Sequence, residues 1–256
     1  LEGHGKIEIF LDDAGKVANA YFQVPELRGF EKFVEGMPVE EVPRVVTRIC
    51  GVCPAAHHLA AGKAVDAVYK ADPPPAAKKL RELFYSAHYV HSHIAHFYAL
   101  AAADFVMGPE SDPATRNILG VVGKVGLEVG GQVLAARRTA QEIQRIISGR
   151  STHPVWTLPG GVSKGITEDE RKDIIAKAKA HVEFAKFSLK LFEDVVLKNK
   201  AYLDLVLSDV YELDTHWIGT VDEKNRVNFY HGDHRVVDTT GKEILRYKDG
   251  EYLDHI

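Results

Sequence analysis

At 256 residues, 45% hydrophobic and 27% charged, the chain has the composition of an ordinary globular protein and is long enough for one large core or two smaller ones. Its net charge of −4 provides no basic field, which argues against nucleic acid as a partner, and no apolar run reaches the roughly 18–20 residues of a membrane span. Its two cysteines, Cys50 and Cys53, cannot staple a fold of this size, and no export leader is visible, so a reducing, cytoplasmic setting is expected.

Residues 5–24 read as a β-hairpin: Ile7, Ile9 and Leu11 alternate with polar neighbours, Asp12-Asp13-Ala14-Gly15 turns the chain, and Val17, Tyr21 and Phe22 return it. Pro25, Pro38 and Pro43 punctuate the next stretch, expected to be loop with one short helix. Pro54 suits the first turn of a helix over about 54–70, which the run from Asp72 to Pro75 breaks. Helical periodicity then predicts three long helices at about 76–104, 114–148 and 167–207. The last opens with a capping-box pattern, Thr167 to Glu170, and keeps an apolar stripe through Ile174, Ala178, Val182, Ala185 and Leu189. The segment 149–166, rich in glycine and containing Pro154 and Pro159, reads as loop. From about 210 the period changes to two, and short runs between turns at 222–225, 231–234, 239–242 and 248–250 predict a β-meander. The expected fold is therefore mainly α with β. A hairpin and loop (1–53) lead into a bundle of long helices (54–209), and a small β-meander (210–256) follows.

Both cysteines lie in RICGVCPAAHH, residues 48–58. A CxxC brings two sulfurs close enough to bridge each other or to share a metal. A thioredoxin-like redox pair would need a βαβ setting, which the predicted elements lack. A zinc site of Cys50, Cys53 and His57 or His58 has suitable ligand types but no second knuckle in the sequence. His88, His91 and His96 could be drawn as another metal site. Their spacing spreads them around one helix, so they are read as packing or surface residues, as His58 is read as surface.

The flanks of the CxxC carry a third reading. Leu1-Glu2-Gly3-His4, Arg28-Gly29-Phe30-Glu31 and Arg48-Ile49-Cys50-Gly51-Val52-Cys53 with His57, in this order and spacing, resemble the large subunit of nickel–iron hydrogenases. The resemblance extends through the long helices to STHPVWTLPGG at 151–161. It is nearest the cytoplasmic, F420-non-reducing branch linked to heterodisulfide reductase. It implies a Ni–Fe centre with CO and CN⁻ on the iron, Cys50 as a terminal nickel ligand and Cys53 as a bridging thiolate. Soft sulfur donors suit both metals. It further implies that His57 donates a hydrogen bond to the Cys53 thiolate. Glu2 would relay the proton released when H2 splits, and Glu31 would ligate a buried Mg2+. His153 would face the first iron–sulfur cluster of a partner small subunit, and Arg48 would pair with a carboxylate nearby. Electrons would pass through that subunit to heterodisulfide-reductase or flavin-type partners.

The family completes its centre with a second cysteine pair near its C-terminus, and these 256 residues contain none. The chain starts at Leu1 and stops at Ile256 within a charged stretch, so it is expected to be part of a longer subunit, or one half of a split one. The competing expectation is a non-catalytic scaffold of a redox complex, its CxxC holding zinc or nothing.

Overall fold

The computed structural model describes residues 3–255. Strands β1 (Lys6–Leu11) and β2 (Val17–Gln23) form the expected antiparallel hairpin, in register from Lys6 opposite Gln23 to Phe10 opposite Asn19. The Asp12 carboxylate closes the turn by accepting the N–H groups of Ala14 and Lys16 at 2.9 and 2.8 Å, and Gly15 takes the positive φ the reversal needs.

The proline-punctuated stretch is more helical than expected. It contains α1 (Phe30–Phe33), a 3-10 turn at Val39–Glu41, α2 (Val42–Val45) and a second 3-10 turn at Val46–Ile49. Pro43 sits in the first turn of α2, where its missing N–H costs nothing, so here proline starts a helix. Helix α3 (Pro54–Tyr69) runs as predicted and ends where Lys70 turns left-handed at φ 51°.

Helix α4 (Pro75–Ala95) continues through a π-turn at His96–Ala101 into α5 (Ala102–Met107). The single helix expected over 114–148 is two: α6 (Ile118–Val125), capped by the Asn117 side chain, and α7 (Leu127–Ser148). Gly126 separates them at φ 92°, a conformation outside any right-handed helix, while apolar residues continue on both sides and mask the break. The expected loop 149–166 contains a minimal antiparallel ribbon, β3 (Thr157–Leu158) with β4 (Gly161–Val162). Helix α8 (Glu168–Phe192) carries the predicted capping box. It passes through a π-turn, and Asn199 then caps a separate α9 (Lys200–Val206). Strands β5 (Trp217–Val221), β6 (Asp233–Val237) and β7 (Glu243–Tyr247) pair in sequence order, all antiparallel. Among the described residues no helix is long and apolar enough to cross a membrane.

The core lies where α3, α4, α7 and α8 converge on the 149–166 segment. Ala55, Leu59, Phe84, Ala87, Ile143, Ile147 and Ile174 surround Trp156, whose ring meets Phe84 with centroids 5.5 Å apart. The helix carrying the CxxC therefore has its back face in the core.

Candidate metal centre

The 3-10 turn Val46–Ile49 delivers Cys50 in an extended conformation, φ −139° and ψ 135°. Three residues later Cys53 is the N-cap of α3, with Pro54 at the first helical position. The Cys53 N–H donates to Cys50 Sγ at 3.2 Å, so the backbone itself folds the CxxC around its first sulfur. His57 lies one helical turn beyond Cys53. One ligand atom from each of Cys50, Cys53 and His57 lies within 4.8 Å of the others, and all three residues are half-buried. The thiols are not joined in a disulfide.

Two sulfurs and an imidazole nitrogen in that space form a soft, borderline donor set suited to nickel, iron or zinc and unsuited to magnesium or calcium. An N–H donated to a ligating sulfur and the positive end of α3 behind Cys53 both favour negative charge there. Among the described residues no fourth His, Cys, Asp or Glu joins the cluster. A closed tetrahedral zinc site is thus two donors short if His57 is not a ligand and one short if it is. A 3-10 turn leads into Cys50, and every strand pair is antiparallel, so the βαβ setting of a thioredoxin-like pair is absent among the described residues.

The remaining predicted residues are placed as follows. Glu2 lies outside the described residues. Glu31 stands exposed in the first turn of α1. Arg48 donates to the Thr47 hydroxyl at 2.6 Å, and that hydroxyl donates to the Arg44 carbonyl at 2.7 Å. His153 adopts φ 48°, and its Nδ1 lies 3.0 Å from the Thr47 carbonyl oxygen. His88 and His91 are buried packing residues, and His93 and His96 are exposed. Burial among neighbouring histidines pushes His88 down to about 4. Burial raises the Tyr85 phenol, with lesser contributions from Tyr89 and Cys53.

His58, expected at the surface, is fully buried. Its Nδ1 lies 2.9 Å from the Pro43 carbonyl, and its Nε2 faces the N–H groups of Trp156 and Thr157 at 3.1 and 3.0 Å. Burial holds its pKa below the ordinary histidine value. The sequence carried a signal for this: Ala55, His58, Leu59, Gly62, Val65 and Asp66 form one 3.6-period stripe, and His57 lies about 100° off it. Further along that stripe Asp66 pairs with Arg81 at 2.5 Å and accepts the Gly160 N–H at 2.8 Å. Arg81 in turn donates to the Leu158 and Gly161 carbonyls at 3.1 and 2.6 Å.

Residues 28–114 match the family described as nickel-dependent hydrogenase, and residues 1–27 match a HoxL-like family. The whole chain is 52% identical to an F420-non-reducing hydrogenase iron-sulfur subunit of Archaeoglobus profundus, covering 53% of that protein. It is 44% identical to a vhu-type F420-non-reducing hydrogenase subunit of Methanocaldococcus jannaschii, covering 60% of it. The chain thus spans little more than half the length of these curated relatives. Among solved structures, an NAD+-reducing [NiFe]-hydrogenase in the H2-reduced state superposes with a TM-score of 0.87 at 33% identity, over 99% of this chain and 55% of that one. The Ni-Fe-Se hydrogenase of D. vulgaris Hildenborough gives 0.75 at 27% identity, over 95% and 51%.

Proposed function

We propose, for a chain that has the sequence and fold of the N-terminal portion of a nickel-dependent hydrogenase large subunit, that it supplies half of a nickel–iron site in an enzyme interconverting H2 with protons and electrons. The observation that carries this reading is the convergence of Cys50, Cys53 and His57 within 4.8 Å, inside the segment that matches the family. When bound, a nickel–iron pair with CO and CN⁻ on its iron supplies the heterolytic cleavage of H2. Cys50 and Cys53 would hold that pair through their thiolates. His57 donates a hydrogen bond to the Cys53 sulfur and fixes how much charge it keeps.

Glu2 would take up the released proton, the general-base role that the resemblance assigns to it. Glu31, exposed in the first turn of α1 within these 256 residues, would supply an oxygen ligand to Mg2+, the role that the resemblance assigns to it. Two sulfurs make only half of the donor set, so the other thiolates come from outside these 256 residues. Electrons would leave through iron–sulfur clusters of a small subunit, toward which the resemblance assigns His153, to a heterodisulfide-reductase or flavin-type acceptor in the cytoplasm.

Metal analysis of the purified native assembly tests the reading. The wild-type assembly is expected to carry nickel, with iron in excess of it because the partner's iron–sulfur clusters add to the iron of the Ni–Fe pair, and Cys50→Ser or Cys53→Ser to lose nickel together with H2-dependent dye reduction. Zinc in their place, or full nickel retention in both variants, would favour the scaffold alternative.

A further inference from the structure

We infer that His58 is a positioning residue: from the back of α3 it ties together the segment leading into Cys50, the helix that begins at Cys53, and the 153–160 strap that crosses behind them. The inference rests on reading the cysteine pair as metal ligands, and its geometry is independent of which metal they hold.

The Pro43 carbonyl can only accept, so Nδ1 of His58 carries the hydrogen and Nε2 offers its lone pair. That lone pair receives the N–H groups of Trp156 and Thr157, with the Thr157 hydroxyl also 3.0 Å away. Every partner is buried: Trp156 is 1% exposed and Thr157 7%, and Pro43 is buried in α2. Bulk water does not reach these groups, so an acceptor lost from the ring is not replaced by solvent.

The same face of α3 continues the seat at helical spacing. One turn beyond His58, Gly62 leaves bare backbone beneath Thr157: a Cβ there would lie 2.8 Å from Thr157 Oγ1 and 3.0 Å from its Cβ. One turn further, Asp66 receives the Gly160 N–H. Residues 58, 62 and 66 thus bind the strap at successive turns. Only His58 of the three also holds the chain ahead of Cys50, through Pro43. The strap reinforces that link at its other end, where His153 meets the Thr47 carbonyl. Cys53 and His57 face the front of a helix whose back is held at three points, and the spacing between the two sulfurs depends on the leader and the helix staying in register.

Three variants of the full chain separate this role from simple stabilisation. His58→Leu removes all the bonds. His58→Gln keeps an acceptor for the two amides and loses the donor to Pro43. Gly62→Ala displaces the strap without touching His58. The readouts are hydrogen exchange at Trp156 and Thr157, the ratio of Cys50 to Cys53 alkylation by iodoacetamide in metal-free protein, and the CO and CN⁻ infrared bands of the native assembly.

His58→Leu is expected to speed exchange at both amides by about tenfold or more, because the buried N–H groups lose their acceptor. It is also expected to change the alkylation ratio and shift the infrared bands. Gly62→Ala should move all three readouts in the same direction, and His58→Gln should return exchange toward wild type while the alkylation ratio, which depends on the bond to Pro43, stays changed. Faster exchange with an unchanged alkylation ratio in both His58→Leu and Gly62→Ala would overturn the inference, leaving His58 a structural residue only. If His58→Leu does not fold, Gly62→Ala and His58→Gln decide by the same two readouts. Absence of infrared bands in the wild-type assembly would refute the nickel–iron reading and leave the exchange and alkylation results to judge His58 alone.

Discussion

Replacing Arg81 by Met tests how the strap is held most severely. Arg81 is 1% exposed, and its guanidinium neutralises the buried Asp66 and caps the Leu158 and Gly161 carbonyls. Methionine fills much of the volume but leaves Asp66 charged, with the Gly160 N–H at 2.8 Å as its remaining partner in this network. Removing one member of a buried pair costs about 3–5 kcal/mol, because the other charge stays behind uncompensated. For a domain of this size that is a fall in melting temperature of roughly 6–20 °C, at about 2–4 °C per kcal/mol. Thermal unfolding followed by near-UV circular dichroism reads it directly. The double variant Asp66→Leu/Arg81→Met should recover most of the loss, since two apolar residues bury no charge. A single-variant shift below about 2 °C, or a double variant worse than the single, would refute the argument that the two charges are tolerated only as a unit.

Two further outcomes follow from local geometry. Gly120→Ala would place a Cβ 1.9 Å from the backbone oxygen of Thr115 and should cost at least the roughly 1–3 kcal/mol of an overpacked site. Gly123→Ala, on the same helix with open space around it, should be neutral or stabilising by up to about 1 kcal/mol, and equal effects in chemical unfolding would sink the steric account. His88, held down to about 4 by burial, is neutral in the fold but binds a proton in the unfolded chain below its ordinary value of 6.5. The stability it contributes is present above pH 6.5 and is lost as pH falls toward 4, by roughly 3 kcal/mol. His88→Leu should therefore flatten the acid limb of a stability-against-pH curve in that window, and an unchanged slope would exclude His88 as its source.

Local chemistry made much of the fold legible. The Asp12–Gly15 turn, Pro54 at the start of α3 and the Thr167–Glu170 capping box each name a residue whose side chain or fixed φ satisfies a particular backbone need, and each forms as read. The break at Gly126 is not legible because periodicity reports which face is apolar and is blind to a single positive φ between two helices. The candidate site was legible as the CxxC and His57, because ligand spacing along a helix start is a local property. His58 was not, because its partners at Pro43, Trp156 and Thr157 lie 15, 98 and 99 residues away. Long-range hydrogen bonds leave no period in a sequence; only the apolar stripe on either side of His58 betrayed its direction.

The central claim is that Cys50 and Cys53 are one half of a nickel–iron centre. The most direct test is an infrared spectrum of the native assembly in the window where metal-bound CO and CN⁻ absorb. Sharp bands there that vanish in Cys53→Ser are the predicted result, and they would require the remaining thiolates to come from outside these 256 residues. A spectrum without such bands from an intact, metal-replete assembly would contradict the account.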